Sequence, residues 1–289
     1  MKAFLFYLFY PLLLGISLLP FKILYLLSDF LYFFLRLSGY RKKVVYNNLR
    51  NSFPEKSEAE IQKLVKDFFK YLCDLILETL KTLSTTEKDA RTRCVFHKAP
   101  WLDSLYAQGK SIIAVMGHYG NWEWAGPSFT LYNKYQLLVV YRPLSNKYFE
   151  KMTVGMRTKF GTEIVPVNLT LRKMVENRSK VTATAFIADQ TAAPESGYWT
   201  TFLNQDTAVY NGPEKLAKKF NFPVIFMNVK RIKRGYYEVF PELLCEHPNE
   251  LKENEISELF MKRLEKEIVK DPTPWLWSHR RWKHVKPKK

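Results

Sequence analysis

The stretch 111–124, SIIAVMGHYGNWEW, decides how the rest of the chain is read. Its first six residues are almost wholly apolar and rich in isoleucine and valine, the pattern of a strand buried on both faces. Gly117 and Gly120 then give the backbone freedom to turn, and Asn121 is a suitable helix cap. The stretch therefore predicts strand–turn–helix, with His118 at the strand's carboxyl end and Glu123 in the helix's first turn. On an unbroken helix, five residues rotate by about 500°, so these two side chains would diverge by about 140°. They meet only if the chain bends between them, as the glycines allow. Open α/β sheets place their ligand sites at this edge.

Working outward, similar β-rich runs occur at 136–141, 162–167, 182–188 and 223–229, with helical composition between several of them. That alternation predicts an α/β fold with a central, mostly parallel sheet flanked by helices. Upstream, Ser57 and Glu60 form a capping box just after Pro54. Ile61, Leu64, Val65, Phe68, Leu72, Leu75 and Ile76 then recur at helical spacing, which carries this helix to about residue 83. A last amphipathic helix has Ile256, Leu259, Phe260, Leu264 and Ile268 on one side and is stopped by Pro272 and Pro274.

The amino-terminal region differs in kind. Between Lys2 and Lys22 lie nineteen uncharged residues, and 23–35 is apolar apart from Ser28 and Asp29. As one helix the first run spans about 28 Å, close to the hydrocarbon thickness of a bilayer. A spanning helix kinked at Pro11, Gly15 and Pro20, a monotopic anchor, a signal peptide and buried core helices are the competing readings. A membrane anchor over 1–40 followed by a catalytic domain over 41–289 is the expectation. Arg36, Arg41, Lys42 and Lys43 follow the apolar runs, which places the remainder on the cytoplasmic side.

The 289 residues are 47% hydrophobic and 25% charged, enough to bury a full core, so a disordered chain is excluded. A net charge of +17 calls for an acidic partner: anionic lipid, an acidic protein or nucleic acid. The apolar amino terminus and aromatics set among apolar residues argue against nucleic acid. Cys73, Cys94 and Cys245 are too few and scattered for a disulfide framework or zinc site, and His97, His247 and His284 lack ligand spacing. Neither a metal nor a cofactor is expected.

A carboxylate on one imidazole nitrogen fixes the tautomer and leaves the other to accept a proton from an alcohol. No G-x-S-x-G pattern occurs, so direct attack by a substrate hydroxyl fits better than an acyl-enzyme. Backbone N–H groups around Gly120 and Asn121, or Arg142 after the 136–141 strand, are candidates for stabilising the oxyanion. Arg142 equally suits a substrate phosphate or an ordinary surface position. Taken alone, a histidine near a glutamate is more often structural than catalytic, and the glycine-flanked strand end brings the two readings level.

GHYGNWEW, VYRPLSNKYFE, ADQTAAPESGYWTTFLNQDTAVYNGPEKLA, PWLWSHRRWK and, upstream, VVYNNLRNSFPEKSEAEI together resemble the lipid A secondary (late) acyltransferases, nearly end to end. The H-x4-E element is shared with the glycerolipid acyltransferases, whose fold the resemblance implies. It implies transfer of a fatty acyl group from an acyl carrier protein or coenzyme A thioester to a hydroxyl of a phosphorylated lipid A precursor. The enzyme would work at the cytoplasmic face of the inner membrane. His118 would be the general base and Glu123 its orienting partner. Asp189 and Gln190 fall in the family's active-site motif, where the acid would orient Arg142 or the base, or merely cap a turn. Asn211-Gly212-Pro213 is read as the turn before the next helix. His279, Arg280, Arg281 and Lys283 are read as contacts to an anionic surface or a solvated tail. Another membrane acceptor (a lysophospholipid, a phosphoinositide mannoside or an aminolipid) is the alternative, and a non-enzymatic basic membrane-binding protein the third reading.

Overall fold

The computed structural model describes residues 2–193 and 198–286. The segment 194–197, inside the ADQTAAPESGYWTTF motif, lies outside the described residues.

The chain opens with two apolar helices, α1 (Lys2–Leu18) and α2 (Phe21–Ser38), broken from each other at Leu19-Pro20. Pro20 cannot donate to a helix and sits before α2 in extended backbone. Among the described residues no helix is long and apolar enough to cross a membrane. Of the competing readings of the amino-terminal region, a spanning helix is therefore not supported. The polar residues of the second run face the protein. The Ser28 hydroxyl donates to Asp74 at 2.7 Å, Tyr25 OH to Glu78 at 2.8 Å, and Asp29 pairs with Arg234 at 2.7 Å. Lys81 Nζ reaches back to the carbonyls of Ser17 and Leu19, satisfying the carboxyl end of α1. Both helices thus lie on the body, with Phe4, Leu8, Phe30, Phe33 and Leu37 among the large apolar side chains left facing outward.

Next come α3 (Lys42–Ser52) and α4 (Glu58–Lys81), the latter opened by the anticipated Ser57/Glu60 capping box. Then α5 (Glu87–Arg93), β1 (Cys94–Phe96) and α6 (Pro100–Ala107) lead to β2 (Ile112–Met116) and α7 (Trp122–Tyr132), the strand–turn–helix read from the sequence. Beyond lie β3 (Gln136–Tyr141), α8 (Lys147–Thr158), β4 (Glu163–Pro166), α9 (Thr170–Glu176) and β5 (Thr182–Ile187). An antiparallel ribbon of β6 (Tyr198–Phe202) and β7 (Gln205–Val209) precedes α10 (Gly212–Phe220). The hairpin β8 (Val224–Lys233) and β9 (Tyr236–Cys245) and the helix α11 (Glu255–Lys270) complete the order.

Among the described residues, seven strands form the main sheet in the order β1-β9-β8-β2-β5-β3-β4, parallel except where β9 turns back on β8. Side chains alternate across it. Ile113, Val115 and Phe226 pack under α4 and α11, while Ile112, Ala114, Ile225 and Met227 pack on the other face with Trp124 and Phe129 of α7. Burial on both faces makes β2 a continuous apolar run, which is why it reads so clearly. Strands β1, β6, β7 and β9 had no such run to announce them.

Candidate active site

The register of β2 against β5 pairs Met116 with Ile187, and Ala188 N–H donates to Met116 O at 3.1 Å. Two residues further along each strand, the sheet edge brings His118 opposite Asp189. Asp189 Oδ1 lies 2.6 Å from His118 Nδ1, and its Oδ2 accepts from His118 N–H at 2.9 Å and from Trp275 Nε1–H at 2.8 Å. Burial would push this carboxyl's pKa up, but the charge and hydrogen bonds of His118, with the Trp275 bond, more than offset it and hold the pKa below its ordinary value. An ionised Asp189 makes Nδ1 the protonated nitrogen of a neutral ring and turns the Nε2 lone pair outward. Gln190 Nε2 lies 3.3 Å from that Nε2, and Trp122 stands edge-on to the ring at 4.9 Å.

Glu123, expected to orient His118, does something else. It takes Arg157 of α8 in a two-pronged pair at 2.9 and 2.5 Å, tying α8 to the start of α7. Burial weakens the Arg157 charge, and Glu123 more than restores it, leaving the guanidinium pKa raised. The orienting carboxylate on His118 is Asp189, and the correction has a geometric reason. A neighbouring parallel strand offers a side chain at the same height on the sheet edge, whereas the first turn of α7 carries Glu123 toward α8.

Asn121 is also turned inward. It is fully buried, caps α7 by accepting from Trp124 N–H at 3.2 Å, and donates to Glu78 Oε2 at 2.8 Å. Its side chain therefore serves the loop and not an oxyanion, and Gly120 N–H is taken by Pro274 O at 2.9 Å. Arg142 lies exposed at the carboxyl end of β3, near Tyr210. β3 is separated from β2 by β5, so Arg142 shares the site's edge two strands away from His118, beside the strand that leads to Asp189. The tail motif is split: Arg280 and Lys283 are exposed, but Arg281 is buried, its Nη1 donating to Ala208 O at 3.0 Å. His279 is half-buried, and burial chiefly drives its pKa down to about 4. The reading of all four as surface contacts is corrected for these two.

The turn 117–121 is braced from two sides. The Tyr71 hydroxyl donates to Gly120 O, and Glu78 accepts from Asn121, from Tyr25 OH and from Tyr237 OH at 2.7 Å. Trp124 Nε1 donates to the Glu78 carbonyl at 3.0 Å. From the opposite side, Leu276 N–H donates to His118 O at 3.1 Å, and Tyr119 bridges to Trp275. Gly120 has φ +61°, and a Cβ there would strike the carbonyl of Val229, so only glycine fits. Trp275, Glu78 and Arg157 were missed as parts of the site. The PWLWSHRRWK block was visible, but which tryptophan reaches Asp189 is not a property of spacing.

The assembly is an imidazole fixed by a buried carboxylate, with one nitrogen facing out at a sheet edge, suited to taking a proton from an alcohol. Residues 1–284 match the family model described as bacterial lipid A biosynthesis acyltransferase. The lipid A biosynthesis palmitoleoyltransferase of Escherichia coli (strain K12) is 27% identical over 251 residues, covering 84% of this chain and 79% of that protein. The lipid A biosynthesis acyltransferase of Shigella flexneri matches to the same extent. An acyltransferase motif set read from the sequence, a fixed His–Asp pair and a family match over nearly the whole chain converge: the chain belongs to the bacterial lipid A biosynthesis acyltransferases.

Proposed function

We propose that the protein transfers a fatty acyl group from a carrier-protein thioester directly to a hydroxyl of a phosphorylated lipid A precursor, with His118 as general base and Asp189 as its positioning residue. The acceptor oxygen attacks the thioester carbonyl carbon as His118 Nε2 takes its proton. The C–O bond forms, the tetrahedral intermediate collapses, the C–S bond breaks, and the imidazolium returns the proton to the departing sulfur. The amide of Gln190 now beside Nε2 yields its place to the substrate hydroxyl. The positive end of α7, which starts at Trp122 just past the turn, favours the oxyanion. The reaction runs at the cytoplasmic face of the inner membrane, with α1 and α2 lying in the bilayer surface through their outward apolar side chains.

The observation that supports this most is the Asp189–His118 Nδ1 contact, because it leaves Nε2 as the acceptor. General-base help to a weak nucleophile is worth roughly 10²–10⁴-fold. The test is an in vitro transfer assay with defined acyl thioesters and purified lipid A precursor, run on wild type and on His118→Ala and Asp189→Asn proteins shown by circular dichroism to be folded. Loss of transfer of that order in both is expected. Full activity in folded His118→Ala would overturn the mechanism, and no transfer by wild type to this acceptor would overturn the substrate.

A further inference from the structure

The start of α3 and the carboxyl-terminal segment together wall an open basin of about 630 Å³ that the catalytic reading does not use. Five cations line it: Arg41, Lys42 and Lys43 from one side, Arg280 and Lys283 from the other. Asn47, Asn51 and Gln205 add amide groups, and among the described residues no carboxylate lines it. Among the described residues none of the five cations forms an ion pair with Asp or Glu, although such pairs are common elsewhere on this surface. The basin is held in shape. Arg41 Nη1 donates to Ser278 O at 2.7 Å, and buried Asn48 donates to Trp277 O and His279 O at 2.8 and 2.9 Å. Like charges held together without counter-charges repel one another, which favours an anion entering from outside.

We propose that this basin is the docking site for a phosphate group of the lipid acceptor, a reading that rests on the proposed substrate. Three features favour a phosphorylated lipid headgroup over an acidic protein. The site is concave, and its volume lies in the range of small-molecule pockets. Amide groups stand among the cations, as suits phosphate oxygens and sugar hydroxyls together. It also follows directly on the outward apolar face of α2, through Leu37 and Tyr40, so an amphiphile's acyl chains and charged head meet matching surfaces in sequence. The wall segment continues back through Leu276, which holds the His118 carbonyl, to Trp275, which holds Asp189. Headgroup anchor and base therefore sit on one continuous support.

The test uses full-length Lys43→Gln/Arg280→Gln/Lys283→Gln protein, with Lys88→Gln/Lys219→Gln as a control that removes exposed charge elsewhere. Charge-assisted bonds of this kind are each worth about tenfold in affinity. KM for the phosphorylated acceptor should rise tenfold or more in the triple variant, while KM for the acyl thioester stays within about twofold. With phosphatase-treated acceptor, wild type and triple variant should behave alike. A rise in the KM for carrier-protein thioester instead would assign the basin to the protein donor, and equal losses on both acceptors, or none, would remove it as a phosphate site. Wild type inert toward the precursor would fail the functional reading alone. Flotation with phosphatidylcholine vesicles containing phosphatidic acid or phosphatidylglycerol then decides. A selective loss of phosphatidic acid binding in the triple variant supports the site, and equal or no loss overturns it.

Discussion

Asp189 and Glu123 are both carboxylates close to the site in sequence or space, and their substitution should have opposite signatures. Asp189→Asn keeps the shape but offers Nδ1 an amide, so the ring loses its fixed tautomer. Activity should fall roughly 10²–10⁴-fold with little change in melting temperature. Glu123→Gln instead strands the largely buried Arg157 charge. Breaking such a pair costs about 3–5 kcal/mol when fully buried, and less here because the Arg157 side chain is 27% exposed. Its melting temperature should drop, and pairing it with Arg157→Met should restore much of that loss in a double-mutant cycle. Equal loss of stability in both single variants would contradict the assignment. The depressed pKa of Asp189 also has a pH consequence. Its stabilisation is present above the ordinary carboxylate value and is lost as pH falls through the lower folded value, so acid should dissociate the His118 contact only at strongly acidic pH.

At the level of elements, α4 is the member on which the turn and α2 both rest. Glu78 is fully buried, and burial raises its pKa, with hydrogen bonds from Tyr237 and Tyr25 opposing. Glu78→Ala leaves Tyr25 OH, Tyr237 OH and Asn121 Nδ2 without their acceptor. At about 1–3 kcal/mol for each stranded buried donor, denaturant unfolding should report a loss of at least about 3 kcal/mol. The segment carrying Trp275 is sensitive to acid through His279, whose folded pKa of about 4 lies below the unfolded value near 6.5. The unfolded state binds the proton first, so its contribution is complete above about pH 6.5 and fades as pH falls toward 4. Thermal melts of His279→Gln against wild type should show a shallower decline over that window.

For the whole molecule, two surface properties join at one place: the outward apolar face of α1 and α2, and the basic excess that begins where α2 ends. Burying an exposed aromatic or leucine side chain in lipid stabilises by about 1.5–3 kcal/mol. Phe30→Ser/Phe34→Ser/Leu37→Ser should therefore weaken vesicle partitioning at least tenfold at high salt, where screening removes most of the electrostatic share. Unchanged partitioning of this variant would show that α2 does not enter the bilayer.

Patterns that repeat within one element were settled by the sequence itself. The capping box at Ser57, the apolar spacing of α4 and α11, the two-face burial of β2 and the glycine-flanked turn at His118 are local preferences of backbone and solvent, written over a few residues. The family resemblance rests on the same readable segments. Only the tertiary structure decided the partners. Asp189 reaches His118 through the register of β5 on β2, Trp275 through the return of the carboxyl-terminal segment, and Glu123 is drawn off by a helix packed alongside. Ser28 and Asp29, the polar breaks in the second apolar run, set α2 against the body for the same reason. Which of several suitable side chains meets another depends on how strands and helices are stacked, and no short-range spacing encodes that.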